Sequence, residues 1–138
     1  MHKNTNAMKK ELNVKTNTLS NYEQNVLLPI LIKGLEMKKG KQNAVTNKQM
    51  VRGLQSFGLK IDVRRVCKLI SHIRTNDLIV GLMASTTGYY VTSNEQELKA
   101  YEKNLLDRET ALRKVRLSMK RQRYTLFAKD SHKQVQLF

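Results

Sequence analysis

The chain has 138 residues, 40% hydrophobic and 6% aromatic, a composition that supports one small domain with extensions rather than two domains. Its formal charge of +15 favours polyanionic partners, nucleic acid first and an anionic membrane second; the alternative is a generally lysine-rich surface. Because Cys67 has no second cysteine to pair with, and no apolar run approaches the roughly 20 residues of a membrane span, we expect a reduced, cytoplasmic protein that does not enter a membrane.

The first helix is predicted to begin at Ser20, where the sequence changes from polar and aperiodic to periodically apolar. Residues 1–19 are polar and aperiodic, which predicts a flexible basic tail. Ser20 and Glu23 then have the spacing of a capping box, in which each side chain bonds the other residue's amide at a helix start. Pro29 is expected to bend or break this helix, and Gly40 to end it. The residues predicted to face the core are Val26, Leu27, Ile30, Leu31 and Leu35.

Two further helices follow after a short extended piece at 43–45. Thr46 and Gln49 form a second capping box, and this helix ends near Phe57. Asp62 caps the third helix after a tight turn. Two short helices joined by a turn are typical of a helix-turn-helix.

The third helix, predicted over 62–75, divides into two faces. The side predicted to be apolar holds Val63, Val66, Cys67, Leu69, Ile70 and Ile73. The other side carries cations and hydrogen-bonding groups, with no carboxylate beyond the cap: Arg64, Arg65, Lys68, Ser71, His72 and Thr75. Such a face suits the major groove of DNA, where Arg can pair bidentately with guanine. The alternative is an ordinary solvated helix face.

A hairpin is predicted next, because two apolar runs are joined by the polar turn Ser85-Thr86-Thr87-Gly88. Gly88 is expected to supply the positive φ of a tight hairpin. Side chains alternate along a strand, so one of Tyr89 and Tyr90 should face the core.

The run from Thr46 to Ser93 resembles the winged helix-turn-helix domains of small bacteriophage and bacterial proteins, including the biotin-repressor type. The resemblance is carried by the capped second helix, the end of the third helix and the S-T-T-G-Y-Y hairpin. It implies double-stranded DNA as partner, with helix 62–75 in the major groove and wing 82–92 on the backbone. Besides the residues on the outer face of the third helix, it implies DNA contacts by Thr86, Thr87 and Lys48. The wing turn departs from many wings in having no Arg or Lys, and we expect no regulation through an effector domain.

A last helix is predicted over 94–127, with 128–138 as a second flexible tail. Its apolar residues repeat in heptads and form a stripe for a homodimer or a protein partner: Leu98, Tyr101, Leu105, Leu112, Val115 and Met119. The alternative is that this stripe packs on the first helix of its own domain. Nonspecific phosphate contacts are predicted for Arg113, Lys114, Arg116, Lys120, Arg121 and Arg123.

Taken together, the predicted elements make a mainly α chain: a winged helix-turn-helix domain at 20–93 with a small β-hairpin, then a long helix. Three scattered histidines and one cysteine cannot make a zinc site, and no catalytic pair is visible, so we expect no enzyme, metal or cofactor. The leading function is a DNA-binding phage or mobile-element regulator, or a replication accessory factor, in a bacterial cytoplasm. The alternatives are a structural or adaptor protein, including a virion-associated one, and a nonspecific nucleic-acid coat.

Overall fold

The computed structural model describes residues 18–128 and 137–138. In chain order it has a π-helical turn (Glu23–Leu27), α1 (Leu28–Glu36), a 3-10 turn (Lys41–Asn43), α2 (Asn47–Ser56), α3 (Val63–Thr75), β1 (Leu82–Ser85), β2 (Gly88–Val91) and α4 (Glu95–Leu126). The extended piece predicted at 43–45 is thus helical at Asn43. The predicted fold class is therefore confirmed: helices, one small hairpin and a long C-terminal helix. The chain divides into two compact units between Asn94 and Glu95. The tails predicted at 1–19 and 128–138 fall almost wholly outside the described residues, and Leu19 already packs against the core.

The first helix begins with the predicted capping box. Ser20 N donates to Glu23 Oε1 at 2.8 Å, and Glu23 N donates to Ser20 Oγ at 3.2 Å. Pro29 does not break the helix. It is the second residue of α1, one residue after the π turn, and proline is tolerated in the first turn of a helix.

The π turn also changes which residues face inward, since it contains about one residue more than an α-helical turn. Leu27, Leu28, Leu31 and Leu35 are buried, whereas Ile30 is 42% exposed, so its predicted core position is wrong. The helix ends at Glu36, earlier than the stop predicted at Gly40.

Both remaining predicted caps in the first unit are confirmed. Thr46 Oγ1 accepts from Gln49 N at 3.2 Å while Thr46 N donates to Gln49 Oε1 at 2.9 Å. Asp62 Oδ1 accepts from Arg65 N at 2.8 Å. The core that these helices enclose is aliphatic and includes Leu27, Leu31, Leu35, Met50, Ile61, Val66, Leu69, Ile70 and Ile73.

The hairpin has a two-residue turn, Thr86-Thr87, with Ser85 opposite Gly88. Val45 extends it by one bridge: its N donates to Tyr89 O at 2.9 Å, and Tyr89 N donates to Val45 O at 2.8 Å. Gly88 has a φ of 123°, and a Cβ there would lie 2.4 Å from Val45 O. The turn and the close third segment therefore both require glycine at this position.

The two tyrosines of β2 alternate as expected. Tyr89 packs against the main core. Tyr90 pairs with Met83 on the other face of the hairpin and is also buried. The prediction that one of them faces the core is confirmed for Tyr89.

The second unit is built on α4, a helix of 32 residues and about 48 Å in length. None of its residues is buried. Lys99 pairs with Glu95 and Lys103 with Asp107, each at 3.3 Å and four residues apart. Such exposed pairs support the helix by only a few tenths of a kcal/mol each, roughly 0.3–0.5.

Candidate nucleic-acid interface

The outer side of α3 is the candidate interface. Its inner side consists of Val66, Leu69, Ile70 and Ile73, all buried as predicted. Val63 is 43% exposed and Cys67 is also exposed, so the predicted apolar face was too wide. The core contacts α3 along a single stripe at three- and four-residue spacing, and residues flanking that stripe stay in solvent. Cys67 Sγ instead lies 3.5 Å from Asn47 Nδ2 at the start of α2.

Glu23 reaches this face from the π turn and binds two of its cations. Its Oε2 lies 3.1 Å from Arg65 Nε, and its Oε1 lies 2.8 Å from Lys68 Nζ. The carboxylate is only 3% exposed, while the Arg65 and Lys68 side chains keep 35% and 28% of their surface. A carboxylate therefore lies within the face that the sequence predicted to have none beyond the cap.

The protonation state of Glu23 follows from these contacts. Burial by itself raises the pKa of this carboxyl, because the charged form loses water. The hydrogen bonds from Lys68 and from Ser20 N, together with the Lys68 charge, outweigh burial and lower the pKa from 4.5 to about 2. Glu23 is therefore ionised throughout the physiological range and holds both cations on the face of α3.

Arg65 is held on three sides. Besides its bond to Glu23, its Nη1 donates to Lys60 O at 3.2 Å. Its guanidinium lies 5.4 Å from the centre of the Tyr22 ring, whose hydroxyl accepts from Lys60 N at 2.9 Å. Arg65 thus connects the first helical segment, the turn before α3 and α3 itself. We infer a mainly structural role for a residue that the sequence placed among the main base contacts.

The other predicted residues of α3 differ in what they offer to solvent. Arg64 is exposed, and its guanidinium makes no hydrogen bond or ion pair with any described residue. Ser71 is exposed. Thr75 is exposed too, but its hydroxyl donates to the backbone carbonyl of Ser71 at 2.8 Å and therefore points back onto the helix. His72 is half-buried, with its Nδ1 3.4 Å from Asn76 Nδ2. Lys48 is exposed on α2.

The tip of the predicted wing is compact and uncharged. Ser85 Oγ donates to Gly88 O at 2.9 Å and lies 2.9 Å from Thr87 Oγ1. Thr87 N donates to Ser85 Oγ at 3.3 Å, so Ser85 holds the turn through bonds on both sides. Thr86 is exposed. The wing can therefore offer hydroxyl and backbone groups to a phosphate, but no cation.

The six cations predicted to contact phosphate in the second unit are all exposed on α4, and we describe them apart from the first unit. Arg123 lies over its neighbour Tyr124, with its guanidinium 4.8 Å from the ring centre. No acidic residue lies between Thr110 and Leu126 to offset these charges.

Within residues 18–128 and the final two residues, no three His, Cys, Asp or Glu side chains are grouped closely enough to hold a metal ion. In the same part of the chain, no helix combines the length and apolar character needed to cross a bilayer. No protein-family model matches the chain, and neither the curated proteins nor the solved structures contain a significant match to it.

Proposed function

We propose that residues 20–93 bind double-stranded DNA as a winged helix-turn-helix domain, with α3 in the major groove. The observation that carries this proposal is the exposed stripe of α3, on which Arg64, Cys67 and Ser71 follow one another at helical spacing. This stripe lies opposite the buried side of the helix, so a duplex can reach it. A helix of this width fits the major groove.

The roles within the face differ from those that the sequence predicted. Arg64 is the main candidate for a base contact, because its guanidinium is exposed and pairs with no described carboxylate. Lys68 has three N–H donors, of which Glu23 accepts from one, so it can still reach a phosphate. Glu23 pairs with both Arg65 and Lys68, so these two cations are less available to DNA than Arg64.

The test is selection from a random duplex library, followed by titration of the enriched duplex with variants. Arg64→Ala is expected to weaken binding to that duplex by about tenfold or more, since one bidentate base contact is worth about 1–3 kcal/mol. Lys33→Ala is the matched control: it removes the same charge from an exposed site on α1. Lys120→Ala should weaken all duplexes alike and reduce the salt slope by about 0.9. If Arg64→Ala behaves like Lys33→Ala, α3 does not read bases.

A second candidate, an adaptor that binds protein, is favoured by an apolar surface groove between α1 and α2. The groove has a volume of about 470 Å³, and its lining includes Ile30, Gly34, Gly53 and Phe57. Phe57 is 83% exposed, and a Cβ at either glycine would meet no atom within 4 Å. The library experiment separates the candidates: no enriched sequence, together with DNA affinity indifferent to Arg64→Ala, supports the adaptor.

A further inference from the structure

The long helix α4 exposes apolar side chains in a regular stripe. Leu105, Leu112, Val115 and Met119 keep 40%, 71%, 60% and 57% of their surface in solvent. Three of them are spaced by seven residues, which is the repeat of a coiled coil. A helix of 32 residues with such a stripe is typical of a surface that pairs with another helix.

The charges of α4 are divided between its two halves. Residues 95–109 carry a formal charge of −2, and residues 110–126 carry +6 without any acidic residue. In a parallel pair the two basic halves would lie side by side and repel each other. In an antiparallel pair each basic half lies beside the acidic half of the other helix.

The positions that flank the stripe make this complementarity specific. Counting Leu105 and Leu112 as position a of the heptad, the e positions are Glu102, Glu109, Arg116 and Arg123. Antiparallel helices bring e beside e. One register then places Glu102 beside the second copy's Arg123 and Glu109 beside the second copy's Arg116, and each pair occurs twice. The opposite flank is neutral in the same register: Asn104, Ala111, Ser118 and Thr125.

The same register also arranges the seam between the helices. Leu112 lies opposite Val115 of the second copy at the centre, Leu105 opposite Gln122, and Met119 opposite Arg108. In a parallel pair Arg108 would instead face Arg108 of the second copy, which places two like charges in the seam. The antiparallel arrangement therefore avoids the repulsion between two Arg108 side chains in the seam.

We propose that this chain forms a homodimer through an antiparallel coiled coil of residues 102–123, with its two-fold axis between Leu112 and Val115. The contacts are the Leu112–Val115 centre and the four flanking Glu–Arg pairs. This surface lies on the second unit and does not depend on DNA binding by the first.

The first experiment measures dimer dissociation of the full chain by sedimentation equilibrium at low salt. Glu109→Arg or Arg116→Glu alone should raise the dissociation constant about tenfold, because each turns two attractive pairs into two repulsive ones. The double variant should return to within about threefold of the original chain, since both pairs are restored with reversed sign. Lys114→Glu is the matched control: it makes the same charge change as Arg116→Glu at a position facing away from the seam.

The second experiment determines the direction of the helices. With Cys67→Ser as background, a spin label on Ala100→Cys should report a separation of about 40 Å in the antiparallel dimer, because the two sites lie some 27 residues apart along the coil. A parallel pair would give less than about 25 Å, since the helix axes are only 8–10 Å apart. A chain that stays monomeric at all attainable concentrations, a double variant without rescue, or the short distance overturns the proposal. A DNA-binding failure affects none of these readouts.

Discussion

Replacing Glu23 with Gln keeps the size of a buried side chain and removes the charge that holds Arg65 and Lys68. The pKa of Glu23 lies at about 2 in the folded chain, against an ordinary value of 4.5. At 1.36 kcal/mol per unit, that difference corresponds to about 3 kcal/mol of folding free energy. Water still reaches parts of both cations and screens them, so we expect Glu23→Gln to lower the free energy of unfolding by about 2 kcal/mol at pH 7.

The assay is urea unfolding followed by helical circular dichroism at several pH values. Because the folded pKa lies below the unfolded one, the contribution of Glu23 is complete above pH 4.5 and is lost as the pH falls toward about 2. The stability gap between the original chain and Glu23→Gln should therefore close over this window. Glu36→Gln, an exposed carboxylate on α1, is the control and should change stability by less than about 0.5 kcal/mol. Equal stability of Glu23→Gln and the original chain at pH 7, or a gap that persists at pH 2, would refute the assigned role.

The same substitution should act in the opposite direction on DNA, if the proposed interface is correct. Without Glu23, Arg65 and Lys68 are free to approach phosphates. Nonspecific affinity should rise, and the salt dependence should steepen by about 0.9 for each new phosphate contact. Titration of an arbitrary duplex at several salt concentrations measures both quantities. An unchanged slope would contradict the prediction that Glu23 keeps these two cations from phosphates.

Three further predictions concern single elements. Gly88→Ala should lower stability by at least about 2 kcal/mol in thermal unfolding, because a side chain there combines a positive φ with a clash; Gly34→Ala, in open space within a helix, should instead add about 0.5–1 kcal/mol. Thr46→Ala removes both bonds of its capping box and should cost about 1 kcal/mol by urea unfolding; no loss would mean that the cap is dispensable. Arg108→Leu combined with Gln122→Leu should tighten the proposed dimer by tenfold or more in sedimentation, since about 0.8 kcal/mol accompanies each CH₂ buried in a seam; a weaker dimer would contradict the register.

The local features of this chain could be predicted from its sequence because each depends on residues a few positions apart. Ser20 with Glu23 and Thr46 with Gln49 each satisfy backbone groups within one helical turn. Asp62 does the same for α3. The hairpin was readable for a similar reason, since a two-residue turn with a following glycine suits few other conformations. The heptad stripe of α4 needs only helical periodicity.

Only the tertiary structure determined the contacts between residues that are distant in the sequence. Arg65 and Lys68 lie 42 and 45 positions from Glu23, and nothing in their own helix distinguishes a cation that binds DNA from one that binds a buried carboxylate. The π turn before Pro29 likewise moved Ile30 out of the core, because one extra residue per turn rotates all later positions. The spacing of apolar residues predicts which side of a helix packs against the rest of the protein. Only packing determines which charges on the other side remain available to a partner.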